Sequence, residues 1–414
     1  MKLEGWEHRS LTDLAQYING YAFKPDDWEK EGLPIIRIEQ LKNPDSICDY
    51  YSGKIPDSNI IDNGDLIFSW SASLFLRFWN NGRAALNQHL FKVEAYENTD
   101  KYFLKSFIEF YLPEITKASH GSTMQHITRK ELDRFGALVP IDKKEQEQIA
   151  EVLSTIDRAI AQTKAIIAKQ QRIKTGLMQD LLTKGIDEHG NIRSEASHEF
   201  KDSEIGRIPV EWDVEEIRKI ASLQRGHDIR EVEFIAGKYP VVASSGIIGF
   251  HNLSTSDSPN VVVGRKGSIG NVYYLDVNFW AHDTSLYVTN FFGNNEKYIY
   301  YLFSYLELER FGTKSGSPSL NRNDIHPLRI SLPKPSEQKL ISKMLTHVDT
   351  LISNLKSGLN KLQRQKTGLM QDILTGKGHV TNLLKEREAA SPWISPFHPA
   401  KPLLLNLIFM SRVK

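Results

Sequence analysis

The chain has 414 residues, of which 40% are hydrophobic and 25% are charged, and its formal net charge at pH 7 is +1. This length predicts two or three domains with real cores, and the near-zero charge excludes a chain-wide basic field, so any nucleic-acid surface must be local. The single cysteine, Cys48, excludes a disulfide framework, and no N-terminal leader or membrane-length apolar run is present, so we expect a cytoplasmic protein.

Residues 1–142 alternate short apolar runs with turn signals, which predicts a mixed α/β domain. The runs 33–38, 64–68 and 90–93 predict strands, and residues 102–112 predict a helix packed by its aromatic side chains. The pair Pro25-Asp26 lacks the spaced Glu-x-Lys of a nuclease strand. We therefore predict a turn there.

Polar loops of this first domain carry side chains suited to base edges and phosphates. Asn and Gln amides can pair bidentately with adenine, and Arg and Lys supply phosphate or guanine contacts. Each loop, taken alone, is more typical of an ordinary solvated surface. The candidate DNA-binding residues of the first domain are Ser69, Trp70, Ser71, Asn87, Gln88, His89, Ser122, Thr123, Gln125, His126, Arg129 and Lys130.

A long helical segment follows, and the chain contains it twice. Residues 145–183 align without a gap to residues 337–375 at a constant offset of 192 (174 to 366), and the run KTGLMQD is identical in both copies. A heptad seam in each copy indicates a coiled-coil partner and not burial in a globular core, and the obvious partner is the twin helix. A simple dimerisation helix is the alternative. The predicted helix-pairing residues are Ile149, Leu153, Ile156, Ile160, Ile167, Ile341, Leu345, Val348, Ile352, Leu355 and Leu359.

The region between the helices retraces the first domain. Residues 184–204 lack an apolar period and predict a loop, and from there Trp212 and Pro240 repeat Trp6 and Pro34 at an offset of 206. The chain is therefore a tandem duplication. The predicted organisation is a first domain 1–142, a central spacer helix 143–186, a second domain 187–334 with its linker 187–204, a C-terminal spacer helix 335–377, and a tail 378–414 outside the repeat.

The second domain has its own polar loops, which differ from those of the first. The glycines of the stretch 264–270, which follows the strand 261–263, let backbone approach a phosphate, and a Ser/Asn/Arg-rich loop spans 314–323. An ordinary cationic hairpin is an equally good reading of the first stretch. The candidate DNA-binding residues here are Arg265, Lys266, Ser268, Lys314, Ser317, Ser319, Asn321 and Arg322.

Catalytic motifs do not accompany these loops. The sequence has no Walker A loop, no HExxH helix, no GxSxG elbow, and no Asn-Pro-Pro-Tyr or Asp-Pro-Pro-Tyr stretch of an amino-methyltransferase. We therefore predict no catalytic residues and no metal site.

The pattern as a whole resembles the specificity subunit of type I restriction-modification enzymes. Each repeat opens with a framing Trp (Trp6, Trp212) and closes with Glu-Gln, a heptad helix and KTGLMQD-x-LT, and the resemblance covers about residues 1–377. The stretches Asn87-Gln88-His89 and 264–270 are similar to the family's target-recognition motifs. The tail after residue 377 departs from the family, which usually ends soon after the second helix.

The resemblance implies an α+β fold in which two similar α/β target recognition domains are joined by two long antiparallel coiled-coil helices with pseudo-twofold symmetry. It implies that each domain reads one half of a bipartite, asymmetric site in double-stranded DNA, and that the helices set the spacing and dock two methyltransferase subunits. Restriction/translocase subunits would join them. S-adenosylmethionine, ATP and Mg would be bound by these partners, with no cofactor, metal or active site in this chain.

Two other functions remain open from the residues alone. One is a coiled-coil interaction scaffold without specific DNA reading, and the other is an enzyme with a cryptic nuclease site.

Overall fold

The computed structural model describes residues 3–118, 127–312, 318–378 and 380, and it divides the chain into two compact units. Unit 1 comprises Met1–Ala161 with Asn360–Lys414, and unit 2 comprises Gln162–Leu359. Each long helix therefore contributes one half to each unit. The predicted DNA contacts Ser122, Thr123, Gln125, His126, Lys314 and Ser317, and nearly all of the tail, lie outside the described residues.

Unit 1 contains two four-stranded sheets, with strand orders β2-β9-β6-β7 and β4-β3-β8-β5, and the antiparallel pair β1-β10. Its strands are β1 Trp6–Ser10, β2 Ala15–Asn19, β3 Leu33–Ile36, β4 Tyr50–Tyr51, β5 Ile60–Ile61, β6 Leu66–Ser69, β7 Phe75–Phe78, β8 Ala84–Leu86, β9 Leu90–Ala95 and β10 Gly136–Pro140. Its helices are α1 Ile38–Lys42, α2 Lys101–Ala118, α3 Arg129–Arg134 and the first half of α4 Lys143–Thr183.

The three strands and the aromatic helix predicted for this unit are confirmed, with one boundary corrected. The first strand ends at Ile36 and not at residue 38, because Ile38 opens α1. The backbone N–H of Arg37 donates to the Gln40 side chain at 3.1 Å, which satisfies one of the free donors at a helix start. The predicted turn at Pro25-Asp26 is also confirmed, as a 3-10 turn over Pro25–Asp27.

Unit 2 contains the sheets β14-β20-β17-β18 and β16-β15-β19 and the pairs β11-β12 and β13-β21. Its strands are β11 Phe200–Ser203, β12 Gly206–Pro209, β13 Asp213–Glu216, β14 Ser222–Arg225, β15 Tyr239–Ala243, β16 Gly246–His251, β17 Asn260–Gly264, β18 Val272–Leu275, β19 Trp280–Ala281, β20 Ser285–Asn290 and β21 Arg329–Leu332. Its helices are α5 Ile217–Ile220, α6 Glu296–Tyr305, α7 Arg322–Ile325, the second half of α4 and the first part of α8 Pro335–Ile373.

Part of the linker that the sequence predicted as a loop forms a β-strand, which corrects that prediction. Its end forms the hairpin β11-β12, in which Lys201 lies opposite Ile208. Ile208 is buried in the core of unit 2, although the stretch before it has no apolar period. One buried side chain is enough to hold a short hairpin that sequence periodicity cannot reveal.

The two units share a strand order, which confirms the predicted duplication. β14-β20-β17-β18 repeats β2-β9-β6-β7, and β16-β15-β19 repeats β4-β3-β8, with equivalent parallel pairs β15-β19 and β3-β8. The helices α2 and α6 pack aromatic side chains into the respective cores, where Phe103, Phe107, Tyr298 and Tyr301 are almost fully buried. Burial of each such ring contributes roughly 1.5–3 kcal/mol.

None of the positions of the predicted heptad seam is exposed along either long helix, whereas most flanking positions are. Its outer ends differ from the prediction. Ile149 and Leu153 belong to the core of unit 1 together with Ile373, and Ile341 and Leu345 belong to the core of unit 2. Within each unit the start of one helix packs against the end of the other, so the two helix halves run antiparallel. The seam therefore serves both a helix pair and a globular core.

No helix in the described ranges is both long and apolar enough to cross a membrane. No group of three or more His, Cys, Asp or Glu side chains in those ranges is placed to hold a metal ion.

Candidate nucleic-acid interface

The same glycine turn organises the candidate interface in each unit. The amide of Gly20 donates to the first residue of β9, and the amide of Gly226 donates to the first residue of β20, both at 3.0 Å. A Cβ at Gly20 would collide with the carbonyl of Asn87, and one at Gly226 would collide with that of His282. Only glycine permits this close backbone approach, so two loops meet at the same place in both units.

A second loop joins this turn in an equivalent way. The amide of Ile127 donates to the Trp70 carbonyl at 3.0 Å, and the amide of Leu320 donates to the Arg265 carbonyl at 2.9 Å. Trp70 and Arg265 thus occupy matched positions, one residue after β6 and one after β17. The loop at Ser69 therefore corresponds to the glycine-rich stretch of unit 2.

Three of the predicted DNA contacts in unit 1 have buried side chains. Ser69 is 0% exposed and its hydroxyl donates to the Ser73 carbonyl, and Ser71 is 5% exposed. Asn87 is 7% exposed, and its side-chain oxygen accepts from the amide of His89 at 3.2 Å. In this structure these side chains contact their own loop, as the bonds of Ser69 and Asn87 show.

The other predicted residues of unit 1 remain accessible to different degrees. His89 and Lys130 are exposed, and Gln88 and Trp70 are half-buried. The Trp70 ring stacks on Phe91, with a centroid distance of 5.5 Å. Arg129, the first residue of α3, donates its guanidinium to the carbonyl of Tyr17 on β2. That bond ties the arginine to the sheet.

The six predicted residues of unit 2 that the structure describes form one cationic loop surface. Lys266 is exposed and pairs through its backbone with Ser319, and Ser268 and Arg265 are half-buried. Asn321 caps α7, since its side chain accepts from the amide of Asn323 at 2.9 Å. Arg322 is the first residue of α7 and is exposed, as Arg129 is the first residue of α3.

The sequence analysis did not identify two residues at the centre of this surface, Arg225 and Asp283. Arg225 ends β14, just before the glycine turn, and its Nη2 lies 2.8 Å from Oδ2 of Asp283. Arg265 also contacts this residue, because its Nη1 donates to the Asp283 carbonyl at 3.3 Å. The alignment of the repeats does not reveal this contact, because the offset between them changes along the chain. The offset is 206 at the glycine turn (20 to 226) and 195 at the segment that this turn contacts (87 to 282).

A histidine below the surface of unit 2 has a perturbed pKa. Burial, with Arg322 and Arg218 nearby, lowers the pKa of His326 below its ordinary value. Its Nε2 accepts a hydrogen bond from the amide of Leu223 at 2.9 Å, which requires the neutral ring. The α7 segment is therefore held to β14 by a neutral histidine.

Comparisons with known proteins agree with this duplicated architecture. The family model described as "Type I restriction modification DNA specificity domain" matches residues 3–171 and 209–364, one copy in each repeat. The chain belongs to this family of type I restriction-modification specificity subunits. This match confirms the family resemblance predicted from the sequence.

Similar members of the specificity family span nearly the whole chain. The type I restriction enzyme MjaVIII specificity subunit of Methanocaldococcus jannaschii is 27% identical and covers 92% of this chain and 94% of its own length. The putative MjaX specificity subunit of the same organism is 25% identical over 90% of this chain and 94% of its own length. The S subunit of M. genitalium has the same fold, with a TM-score of 0.61 at 17% identity, covering 90% of this chain and 98% of its own.

In this specificity subunit the motifs that frame each repeat close the domain onto its helix. The indole N–H of Trp6 donates to Glu145 at 3.3 Å, and that of Trp212 donates to Glu337 at 3.2 Å. The following glutamine is almost fully buried in both repeats. Its side-chain amide bridges a proline carbonyl before the helix (Pro140, which ends β10, or Pro333, which follows β21) and the turn that precedes α2 or α6.

The repeated run KTGLMQD supplies the lysine of one ion pair across the helix seam in each unit. In unit 1 Lys366 lies 2.7 Å from Asp157, and in unit 2 Lys174 lies 2.6 Å from Asp349. Both lysines and both aspartates are related by the offset of 192. Only in unit 2 does Tyr301 join the pair, donating its hydroxyl to the aspartate at 2.8 Å.

Proposed function

We propose that this chain is the non-catalytic DNA-recognition subunit of a type I restriction-modification complex. In this proposal each compact unit reads one half of a bipartite target in double-stranded DNA. Family membership supports DNA recognition, and one structural observation supports the division of labour. The two units present the same pair of backbone turns but place different side chains on them.

The difference in side chains leads to an asymmetric target. At matched positions unit 1 carries Trp70 and unit 2 carries Arg265, and the glycine turn is preceded by Asn19 in one unit and Arg225 in the other. Amide, indole and guanidinium groups match different base edges. We therefore infer two unlike half-sites and a target that is not a palindrome.

The two long helices would set the number of unread base pairs between the half-sites. Helix α4 starts at Lys143 and α8 at Pro335, which supports the proposed spacer segments 143–186 and 335–377, one after each of the proposed target recognition domains 1–142 and 187–334. At ~1.5 Å per residue each helix is about 60 Å long. The paired helices would also dock two methyltransferase subunits, which bind S-adenosylmethionine, and restriction/translocase subunits that use ATP and Mg.

Genome-wide detection of modified adenines tests the proposal directly. The source cell is compared with a strain lacking only this chain, and with that strain carrying the chain on a plasmid. We expect one bipartite, non-palindromic methylated motif that disappears on deletion and returns on complementation. A methylome that is unchanged by the deletion would refute DNA recognition, and a single palindromic motif would refute the asymmetry.

Binding of the purified complex to a duplex that carries the mapped motif distinguishes DNA reading from a coiled-coil scaffold role. A DNA reader that contacts phosphates loses affinity steeply as salt rises. We expect retention of the specific duplex over a scrambled one at every salt concentration. Equal retention of both duplexes would favour the scaffold.

A further inference from the structure

One residue of unit 2 holds two arginines at the candidate interface. The carboxylate of Asp283 binds the guanidinium of Arg225 at 2.8 Å, and its backbone carbonyl accepts from Arg265 at 3.3 Å. The Asp283 side chain is only 17% exposed, whereas that of Arg225 is 53% exposed. The carboxylate thus anchors one edge of a guanidinium that otherwise faces solvent.

The turn that carries Asp283 is fixed on both sides by backbone hydrogen bonds. The amide of His282 donates to the carbonyl of Val242 at 3.0 Å, and the carbonyl of Thr284 accepts from Arg265 and Lys266 at 2.8 and 3.1 Å. A rigid turn places its carboxylate at a defined point. Arg225 is therefore held in one orientation before any ligand arrives, which lowers the entropy cost of binding.

An exposed guanidinium with a fixed edge matches guanine better than any other base. Its planar fork donates two parallel hydrogen bonds, and guanine offers two adjacent acceptors, O6 and N7, in the major groove. We propose, on the basis of the proposed function, that Arg225 reads a guanine in the half-site of unit 2. Asp283 acts as the positioning residue for this arginine.

The matched positions in unit 1 carry a different chemistry. Asn19 precedes Gly20 as Arg225 precedes Gly226, and Gln88 follows Asn87 as Asp283 follows His282. Neither side chain has the guanidinium fork. The guanine contact proposed for Arg225 therefore has no counterpart at the matched positions of unit 1, and this makes the proposal specific to one position of the half-site read by unit 2.

The experiment uses the full complex expressed in a host without other adenine methylation, and it maps methylated motifs for the wild-type chain and four variants. Arg225→Ala removes the fork, Arg225→Lys keeps the charge without it, and Asp283→Asn removes the anchor. Arg329→Ala is the matched control, because Arg329 is 47% exposed and held by Glu204 at 2.8 Å on β21.

We expect Arg225→Ala to make one base pair of one half-site degenerate, with discrimination for guanine there reduced about 10- to 100-fold. Arg225→Lys should relax the same position, Asp283→Asn should relax it less, and Arg329→Ala should leave the motif intact. Binding of the purified variants to four duplexes, one for each base pair at that position, measures the discrimination directly.

Three outcomes would overturn the inference while leaving the proposed function in place. They are an unchanged motif in Arg225→Ala, an equal loss of binding to all four duplexes, as for a phosphate contact, and degeneracy in both half-sites. An equal loss of binding to the four duplexes counts only if thermal unfolding shows that the variant is folded. If Arg225→Ala is unfolded, Arg225→Lys decides the case. If the wild-type chain itself gives no bipartite motif, the proposed function fails and the inference fails with it.

Discussion

At the scale of single residues, the two framing glutamates, Glu145 and Glu337, have different sets of hydrogen-bond partners in the two repeats. Glu145 accepts the indole of Trp6. Glu337 accepts the equivalent indole of Trp212, and it also accepts the amide of Ile186 at 2.9 Å and the guanidinium of Arg193 at 2.6 Å. Arg193 is 7% exposed, and its guanidinium lies 2.6 Å from this carboxylate and 3.7 Å from that of the more exposed Glu211.

We predict that Glu337→Gln destabilises unit 2 by about 3 kcal/mol, because removing one partner of a buried pair leaves an uncompensated charge. The matched change Glu145→Gln should cost unit 1 only about 1 kcal/mol, the typical value of one hydrogen bond. Urea denaturation followed by tryptophan fluorescence and by hydrogen exchange of each unit measures the two effects. Equal losses in the two variants would contradict the assignment.

A second prediction concerns pH and His326. Its pKa is lowered on folding by burial, and so the unfolded chain binds a proton more readily than the folded one. The stability that neutral His326 contributes is fully present above its ordinary pKa near 6.5 and is lost as pH falls toward the lowered value. We expect His326→Gln to flatten the difference in urea midpoint between pH 7 and pH 5. A variant with the same pH dependence as wild type would exclude this role.

At the scale of elements, the long helices were predictable because their period is a property of local sequence. Four-and-three spacing defines a seam whatever the helix packs against, and every seam position is indeed protected from solvent. The identity of the packing partner is not local. Ile149 and Leu153 satisfy both a helix pair and a globular core, and the sequence analysis recognised only the first.

The loops were less predictable, for a physical reason that Asn87 illustrates. A polar side chain on a loop can face DNA or can satisfy the loop's own backbone, and composition does not separate the two. Asn87 does the second, as Ser69 does. Arg225 and Asp283 escaped notice because they meet only when β14 pairs with β20, and no spacing in the sequence reports that pairing.

The reciprocal ion pairs give a prediction at the same scale. Lys366 and Asp157 form a partly exposed pair, for which we expect a coupling energy of roughly 0.5–1 kcal/mol in a double-mutant cycle. Lys174 and Asp349 should couple more strongly, because Tyr301 also hydrogen-bonds the aspartate. Burial of that hydroxyl raises the pKa of Tyr301, so it remains a donor. Tyr301→Phe should remove the excess in unit 2, and an unchanged coupling would show that the tyrosine has no part in it.

At the scale of the whole molecule, the duplication separates the loops of each unit from the helix pair. Each unit holds its own loops on its own core, and the framing tryptophan and glutamate fasten that core to the helices in the same way in both repeats. Changes in the loops of one unit therefore need not disturb the helix pair. Changes in helix length, in turn, need not alter which bases either unit reads.

The proposed role of the helices as a spacer makes the last prediction. Insertion of one heptad in α4 after Ala161 and one in α8 after Leu359 keeps the seam in register while adding about 10 Å, or about three base pairs of DNA. We expect the mapped motif to gain unread base pairs between two unaltered half-sites. Insertion in α4 alone is the control, and it should abolish methylation because the Lys174–Asp349 pairing loses its register with the rest of the seam. If the double insertion leaves the interval unchanged, the helices do not set the spacing.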